Sequence, residues 1–287
     1  MSYISEPLFQ FKYFDSQLGR PQWRGKRVLD FGGNTGNILR DPNVAIDRDQ
    51  YWCVDVSSDA IERGRKAFPE AHWIFYDRYN FAFNSSGVKG LPIPDLGEEF
   101  DYIISYSVFT HTSKAEMLEL AGQLIDNLAP GGVLAFTFID HRFNPATSAG
   151  NNGAGFYNGS YLRQVLEDTA IEERRRRQGY NAVYDREYRD GTAPRLPKVD
   201  VESLLSRAAG ARWCTLINER DLYVDIDEVD LSHESENRSI LTLYRDDYMI
   251  SLFKGAKVLP PPYEAYAPTA ESVLQHCCVL RKPAING

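Results

Sequence analysis

The sequence predicts an α/β protein whose parallel sheet carries helices on both faces. Three observations point there. Short, continuously apolar runs recur between residues 26 and 140, the signature of strands buried on both sides. Segments of helical period separate those runs, as in a chain of βαβ units. One run passes directly into a glycine-rich turn, Val28-Leu29-Asp30-Phe31-Gly32-Gly33-Asn34-Thr35-Gly36-Asn37.

Residues 1–25 hold Phe9, Phe11, Tyr13, Phe14 and Trp23 without a clean period; they read as an N-terminal cap or as plain packing. Arg27–Phe31 is the first strand. A helix is expected after Gly36, but Asp41-Pro42 interrupts it, so it is either very short or restarted by the proline. Tyr51–Val56 is a second strand, and Ser57-Ser58-Asp59 is suited to cap a helix over Ala60–Ala67. His72–Tyr76 and Phe100–Tyr106 are further strands. Ser113 caps a helix over Lys114–Leu128, whose Met117, Leu120, Ala121 and Leu124 recur at helical spacing. Pro130-Gly131-Gly132 is expected to stop that helix before a strand at Val133–Ile139. Beyond 140 the pattern weakens. Ala149–Gly155 reads as a loop, Tyr161–Ile171 and Val201–Ala209 as helices, and Arg212–Ile217 and Gln275–Leu280 as strands. The region 141–270 is expected to hold additions to the same sheet and a substrate-covering insertion, within a single domain spanning 26–287.

The chain has 287 residues, 43% of them hydrophobic and 25% charged, with a net charge of −8. That balance argues against nucleic acid or an anionic membrane as a partner. The basic run Arg174–Arg177 follows two glutamates and reads as a solvated helix face. No apolar run approaches the roughly 18 residues that span a bilayer, and residues 1–6 lack the basic and apolar stretches of a signal peptide, so none is expected. Cys53, Cys214, Cys277 and Cys278 lack metal-site spacing and are expected as buried thiols in a reducing cytoplasm. No metal is expected.

The chemistry begins at the turn. Glycines let the backbone bend tightly and approach a ligand. Asp55 closes the second strand about 20 residues on, the distance at which a carboxylate grips a ribose diol. Together they point to a nucleoside-containing cofactor.

The order of motifs resembles the class I, Rossmann-like S-adenosylmethionine-dependent methyltransferases. The matching pieces are Val28–Gly36, Asp55, Asp77, Phe100–His111 and Leu128–Phe136, about the first half of the chain. The resemblance implies seven strands, mostly parallel, with the last, Gln275–Leu280, antiparallel. It implies that Asp30, Phe31, Gly32, Gly33, Asn34, Gly36 and Asn37 cradle the cofactor. The turn and the helix start after Gly36 would offer N–H groups to the methionine carboxylate. Asp55, with Val56 beside it, would hold the ribose. Asp77, with Arg78 or Tyr79 beside it, would meet the adenine, and Ser105 and Tyr106 would complete the site. The family pattern is acidic-x-Gly-x-Gly-x-Gly, and here Asn34 replaces the middle glycine. Asn is the non-glycine residue most at ease with positive φ, so the turn is expected to survive.

Methyl transfer to a hydroxyl or ammonium needs a base. His111, Tyr106, Asp140 and His141 follow the fourth and fifth strands, where open α/β sheets place ligands. The expected activity is methyl transfer to O or N of a small acceptor, be it aromatic, natural-product or peptidic, in a cytoplasmic enzyme for which a homodimer stays open. Two rivals remain. A non-catalytic S-adenosylmethionine-binding partner protein would account for Asn34 and the interrupted helix. An NAD(P)-dependent oxidoreductase shares the glycine turn, but its third glycine normally opens a long helix.

Overall fold

A computed structural model describes residues 10–80, 83–142, 162, 163, 166, 200–217, 221–227, 240–261 and 275–284. Its centre is a seven-stranded sheet in the order β3-β2-β1-β4-β5-β10-β9. The strands are β1 (Val28–Phe31), β2 (Tyr51–Asp55), β3 (His72–Phe75), β4 (Phe100–Ser105), β5 (Leu128–Ile139), β9 (Lys257–Leu259) and β10 (Gln275–Arg281). The first five are mutually parallel. β10 runs antiparallel to β5 and to β9. The strand order reverses direction between β1 and β4, which opens a crevice at their carboxyl ends. The expected Rossmann-like sheet with an antiparallel closing strand is therefore present.

Alternation along each strand sorts the core into two layers. Leu29, Phe31, Trp52, Val54, Ile103, Phe136 and Cys278 pack against α3 (Lys114–Asp126) and α5 (Asp246–Leu252). On the opposite face, Val28, Tyr51, Cys53, Ile104 and Cys277 meet α1 (Gln10–Gln17), α2 (Ser58–Ala67), Trp23 and Trp73. The caps follow the sequence. Ser57 Oγ accepts from Ala60 N at 3.2 Å, and Ser113 with Glu116 forms a reciprocal capping box on α3.

Four places differ from expectation. The aromatic N-terminal segment forms α1, which buries Phe11, Tyr13 and Phe14; its helical period is hidden because Tyr13 and Phe14 are adjacent and both buried. Pro130-Gly131-Gly132 does not separate α3 from β5. The helix ends at Asp126, and β5 begins at Leu128. The strand accommodates the three residues because the register with β4 shifts there and Gly131 takes φ 78°. Arg212–Ile217 was expected among the additions to the main sheet. Instead Trp213–Ile217 (β6) joins β7 (Asp221–Val224) and β8 (Ile240–Tyr244) in a separate antiparallel sheet. Leu216, Leu222, Leu241 and Leu243 pack there with Ala208 of α4 (Val201–Ala208). α5 and β9 had no counterpart in the sequence prediction, each being too short to show a period. The expected elements at Ala149–Gly155 and Tyr161–Ile171, and the run Arg174–Arg177, lie wholly or mainly outside the described residues.

The small sheet is tied to the main sheet's carboxyl edge. His111 Nδ1 lies 2.9 Å from Ile240 O. Thr242 Oγ1 donates to Thr112 O at 2.6 Å. Trp213 stacks on Tyr248 of α5 at 5.1 Å, with the Lys114 ammonium 3.9 Å from the Trp213 ring centre.

Candidate functional site

The turn after β1 is held open by its backbone. Gly32, Asn34 and Gly36 have φ of 76°, 54° and 74°, so Asn34 does adopt the left-handed conformation its chemistry allows. Gly32 is also a close approach: a Cβ there would lie 2.2 Å from Val108 Cγ2. No long helix follows Gly36. Asn37–Arg40 is one turn of 3-10 helix, ended at Asp41. Of the two alternatives the sequence leaves open, the very short helix is the one formed. The N–H groups available to a carboxylate come from the turn itself, because Pro42 offers no N–H to continue a helix.

Two carboxylates sit behind the turn. Asp55, 9% exposed, accepts from Asn34 N and from Ser57 N, each at 2.8 Å. It ties the glycine turn to the start of α2, and each oxygen keeps a further lone pair. Burial raises its pKa, opposed by backbone N–H groups of Ser57, Asn34 and Val56. Asp30 is more deeply buried and accepts from Tyr51 OH at 2.7 Å. Burial pushes its pKa up to about 7, the Tyr51 hydrogen bond opposing and the Asp55 charge adding to the rise. A Cβ on Gly33 would meet Asp30 Cγ at 2.6 Å and Cys53 Sγ at 2.9 Å. Asp30 therefore supports the turn from beneath.

Some expected cofactor residues are placed differently. Phe31 turns into the core, stacked on Phe109 at 6.4 Å and tilted against Tyr76 at 6.2 Å, so only its backbone borders the turn. Arg78 is a correction. It is buried, and its guanidinium makes a two-pronged pair with Glu119 of α3 at 3.0 and 2.9 Å while also donating to Leu91 O at 2.8 Å. Those bonds raise its pKa despite burial and spend its donors on packing α3. Asp77 is exposed beyond β3, where Asn84 Nδ2 donates to its Oδ1 at 3.0 Å. Val56 is half-buried against the core layer of α3.

At the end of β4, Ser105 is fully buried and its Oγ has no hydrogen-bond partner. Tyr106 packs edge-on against Tyr13 at 5.5 Å and Phe14 at 6.2 Å. Ser107 takes φ 58°, donating its N–H to Thr137 Oγ1 at 2.7 Å and delivering Val108 onto Gly32. His111 is exposed, and one ring nitrogen is taken by Ile240 O.

At the end of β5, Asp140 accepts from Arg142 Nη2 at 2.9 Å, Arg142 N at 2.8 Å and Asp246 N at 3.1 Å. Burial works to raise its pKa, but these bonds hold it below the usual carboxylate range. Among the expected bases it is thus a correction: a weakly basic carboxylate engaged in joining β5 to α5. His141 is 3% exposed, and neither ring nitrogen makes a hydrogen bond of good geometry. Its pKa is lowered by burial, the Asp140 charge opposing and Arg142 assisting. It is therefore neutral and keeps a lone pair.

Residues 29–134 match a family model described as a methyltransferase domain. That match runs from β1 into β5 and takes in the glycine turn, Asp55 and α3. No curated protein matches the chain. Solved structures similar to it include a TehB-like S-adenosylmethionine-dependent methyltransferase from Corynebacterium glutamicum, 20% identical with a TM-score of 0.33 over 45% of this chain and 61% of that one. Another is CalS10, an amino pentose methyltransferase from Micromonospora echinaspora, 20% identical with a TM-score of 0.31 over 47% of this chain and 50% of that one. A third is an S-adenosylmethionine-dependent methyltransferase from Clostridium acetobutylicum, 11% identical with a TM-score of 0.48 over 99% of this chain and 93% of that one. The chain thus spans about three fifths of the first relative's length.

The residues present fit S-adenosylmethionine, the cofactor expected from the sequence. Three left-handed residues hold the turn open, and a buried carboxylate with spare lone pairs closes the next strand. Among the described residues, no cluster of His, Cys, Asp or Glu is arranged to hold a metal, and no helix is long and apolar enough to cross a membrane. The described cysteines are free and buried. One polar residue of this edge escaped the sequence prediction. Gln275, first in β10, is 3% exposed with its Oε1 unpartnered. Nothing in its local sequence marks it, because its position depends on the pairing of Gln275 with Ile139.

Proposed function

We propose that the chain transfers a methyl group from S-adenosylmethionine to an oxygen or nitrogen of a small acceptor. The observation that carries this is the Gly32–Gly36 turn at the carboxyl edge of a sheet ordered β3-β2-β1-β4-β5-β10-β9, within a methyltransferase domain. Bound there, S-adenosylmethionine supplies an electrophilic sulfonium methyl. The turn's N–H groups would receive the methionine carboxylate, Asp55 would accept from the ribose hydroxyls, and Asp77 would meet the adenine amine. Asp30 orders the turn. α1, next to Tyr106 and the turn after Gly36, acts as a cap, and part of 141–270 covers the acceptor.

His141 is the general base. Its support is burial and a neutral ring, which keeps one basic nitrogen while the other faces the Ala208 backbone. With the cofactor bound, the site would align an acceptor lone pair with the sulfonium methyl, and His141 would take the acceptor's proton. His111 and Asp140 are already engaged in holding the small sheet and α5.

Isothermal titration with S-adenosylmethionine and with S-adenosylhomocysteine tests the first half; no heat at millimolar ligand would overturn it. Methyl transfer from labelled cofactor into the small molecules of a cell extract tests the second. With an acceptor in hand, His141→Gln is expected to slow transfer by about a hundredfold or more while cofactor affinity holds. Equal rates would remove His141 as the base.

A further inference from the structure

The acceptor side of this edge contains a recognition group. Gln275 begins β10 opposite Ile139 of β5, one step nearer the carboxyl edge than the Cys277–Thr137 pair. It shares the face of Cys277, the layer that also holds Tyr13, Phe14 and Tyr106. α1 is fastened over this place: Tyr13 OH donates to Gln275 O at 2.9 Å, and Gln17 Nε2 donates to Pro260 O at 2.8 Å. The main chain of Gln275 is thus held in place, while its side-chain Oε1 is buried without a partner. An unpaired buried amide oxygen is unfavourable unless something arrives to bond it. No element of the cofactor cradle reaches it, since the turn, Asp55 and Val108 gather at β1, β2 and the end of β4, with β5 between them and β10.

We propose that the Gln275 side-chain amide determines acceptor specificity, its Oε1 receiving an N–H or O–H of the acceptor beneath α1. This rests on the methyl-transfer function proposed above. The acceptor class is a molecule that presents a hydrogen-bond donor to Oε1 beside the apolar layer that Tyr13, Phe14 and Tyr106 form among themselves. An acceptor without such a donor leaves Oε1 unpaired and is rejected.

The probe is labelled S-adenosylmethionine with a small-molecule extract of the producing cells, titrated against native protein, Gln275→Met and Gln275→Glu. Gln275→Met keeps the shape and removes the acceptor atom, whereas Gln275→Glu keeps it. In Gln275→Met, half-maximal labelling is expected to need about tenfold more extract, with the saturated rate and cofactor affinity within about threefold of native. Gln275→Glu, which keeps an acceptor oxygen but buries an acid, is expected to fall between native and Gln275→Met. A Gln275→Met titration superimposable on native overturns the proposal, and so does a matching loss of cofactor affinity, which would place Gln275 in support of the fold. If native protein binds S-adenosylmethionine but labels nothing, the methyl-transfer function fails and Gln275 loses its role with it. If native protein labels product and Gln275→Met does so equally, only Gln275 is overturned.

Discussion

The two ends of the carboxyl edge treat their carboxylates oppositely. Behind the glycine turn, Asp30 and Asp55 are buried beside hydroxyl and backbone donors with no ion pair among the described residues, and both have raised pKa values. At the end of β5, Asp140 is paired with Arg142 and its pKa is lowered. Burying a charge without a counter-ion is unfavourable, so a fold that keeps two acids in that condition has a use for them. That use fits a cationic nucleoside. Asp140 and Arg142, joined further to Asp246, form a neutralised knot that fixes α5. The lesson is that carboxylates at equivalent strand ends are told apart by their partners.

The sharpest way to break this contrast is at Gly32. Gly32→Ala adds a Cβ 2.2 Å from Val108 Cγ2 at φ 76°, and overpacking plus left-handed strain is expected to weaken S-adenosylmethionine binding by about a hundredfold. Titration within threefold of native would show that the turn does not hold the cofactor. Next comes Asp55→Ala, expected to weaken the same binding by more than about tenfold; unchanged affinity would remove the ribose contact.

Asp30→Asn is a smaller perturbation, about threefold in affinity by the standard of one modest hydrogen bond, with its main signature in pH. The native state holds the Asp30 proton from the ordinary 3.8 up to about 7, a window in which the unfolded chain has lost it. Its contribution to stability is complete below that window and is lost as pH rises through about 7. Thermal unfolding across pH 4.5 to 8 should therefore show the native protein falling relative to Asp30→Asn. Parallel curves would mean that Asp30 is not the buried acid described.

The smallest effect on the cofactor belongs to the other end. Asp140→Ala is expected to lower stability by about 2 kcal/mol through loss of buried charge-assisted bonds, with cofactor affinity within about twofold. A large loss of affinity at unchanged stability would reverse the comparison.

The first half of the chain was largely legible because its signals are local. Apolar runs, the Ser57 and Ser113 caps and the turn each declare themselves within a few residues, and Asn34 could be assigned positive φ from its side chain alone. Less was legible after residue 140. β7, β8 and β9 are three to five residues long, too short to show a period, although Ile240-Leu241-Thr242-Leu243-Tyr244 carries enough strand-forming residues to have been noticed. Arg78 misled because a basic residue beside Asp77 looks like a ligand contact until Glu119, on a distant helix, claims it.

The sequence by itself determined the sheet's parallel core, the bend after Phe31 and the acid that closes β2. Each follows from near neighbours through backbone sterics and apolar continuity. Only the tertiary structure decided which polar groups stay unspent. Whether Arg78, Asp140, His141 or Gln275 keeps a free donor or acceptor depends on partners far away in the chain, and hydrogen bonding is satisfied in space.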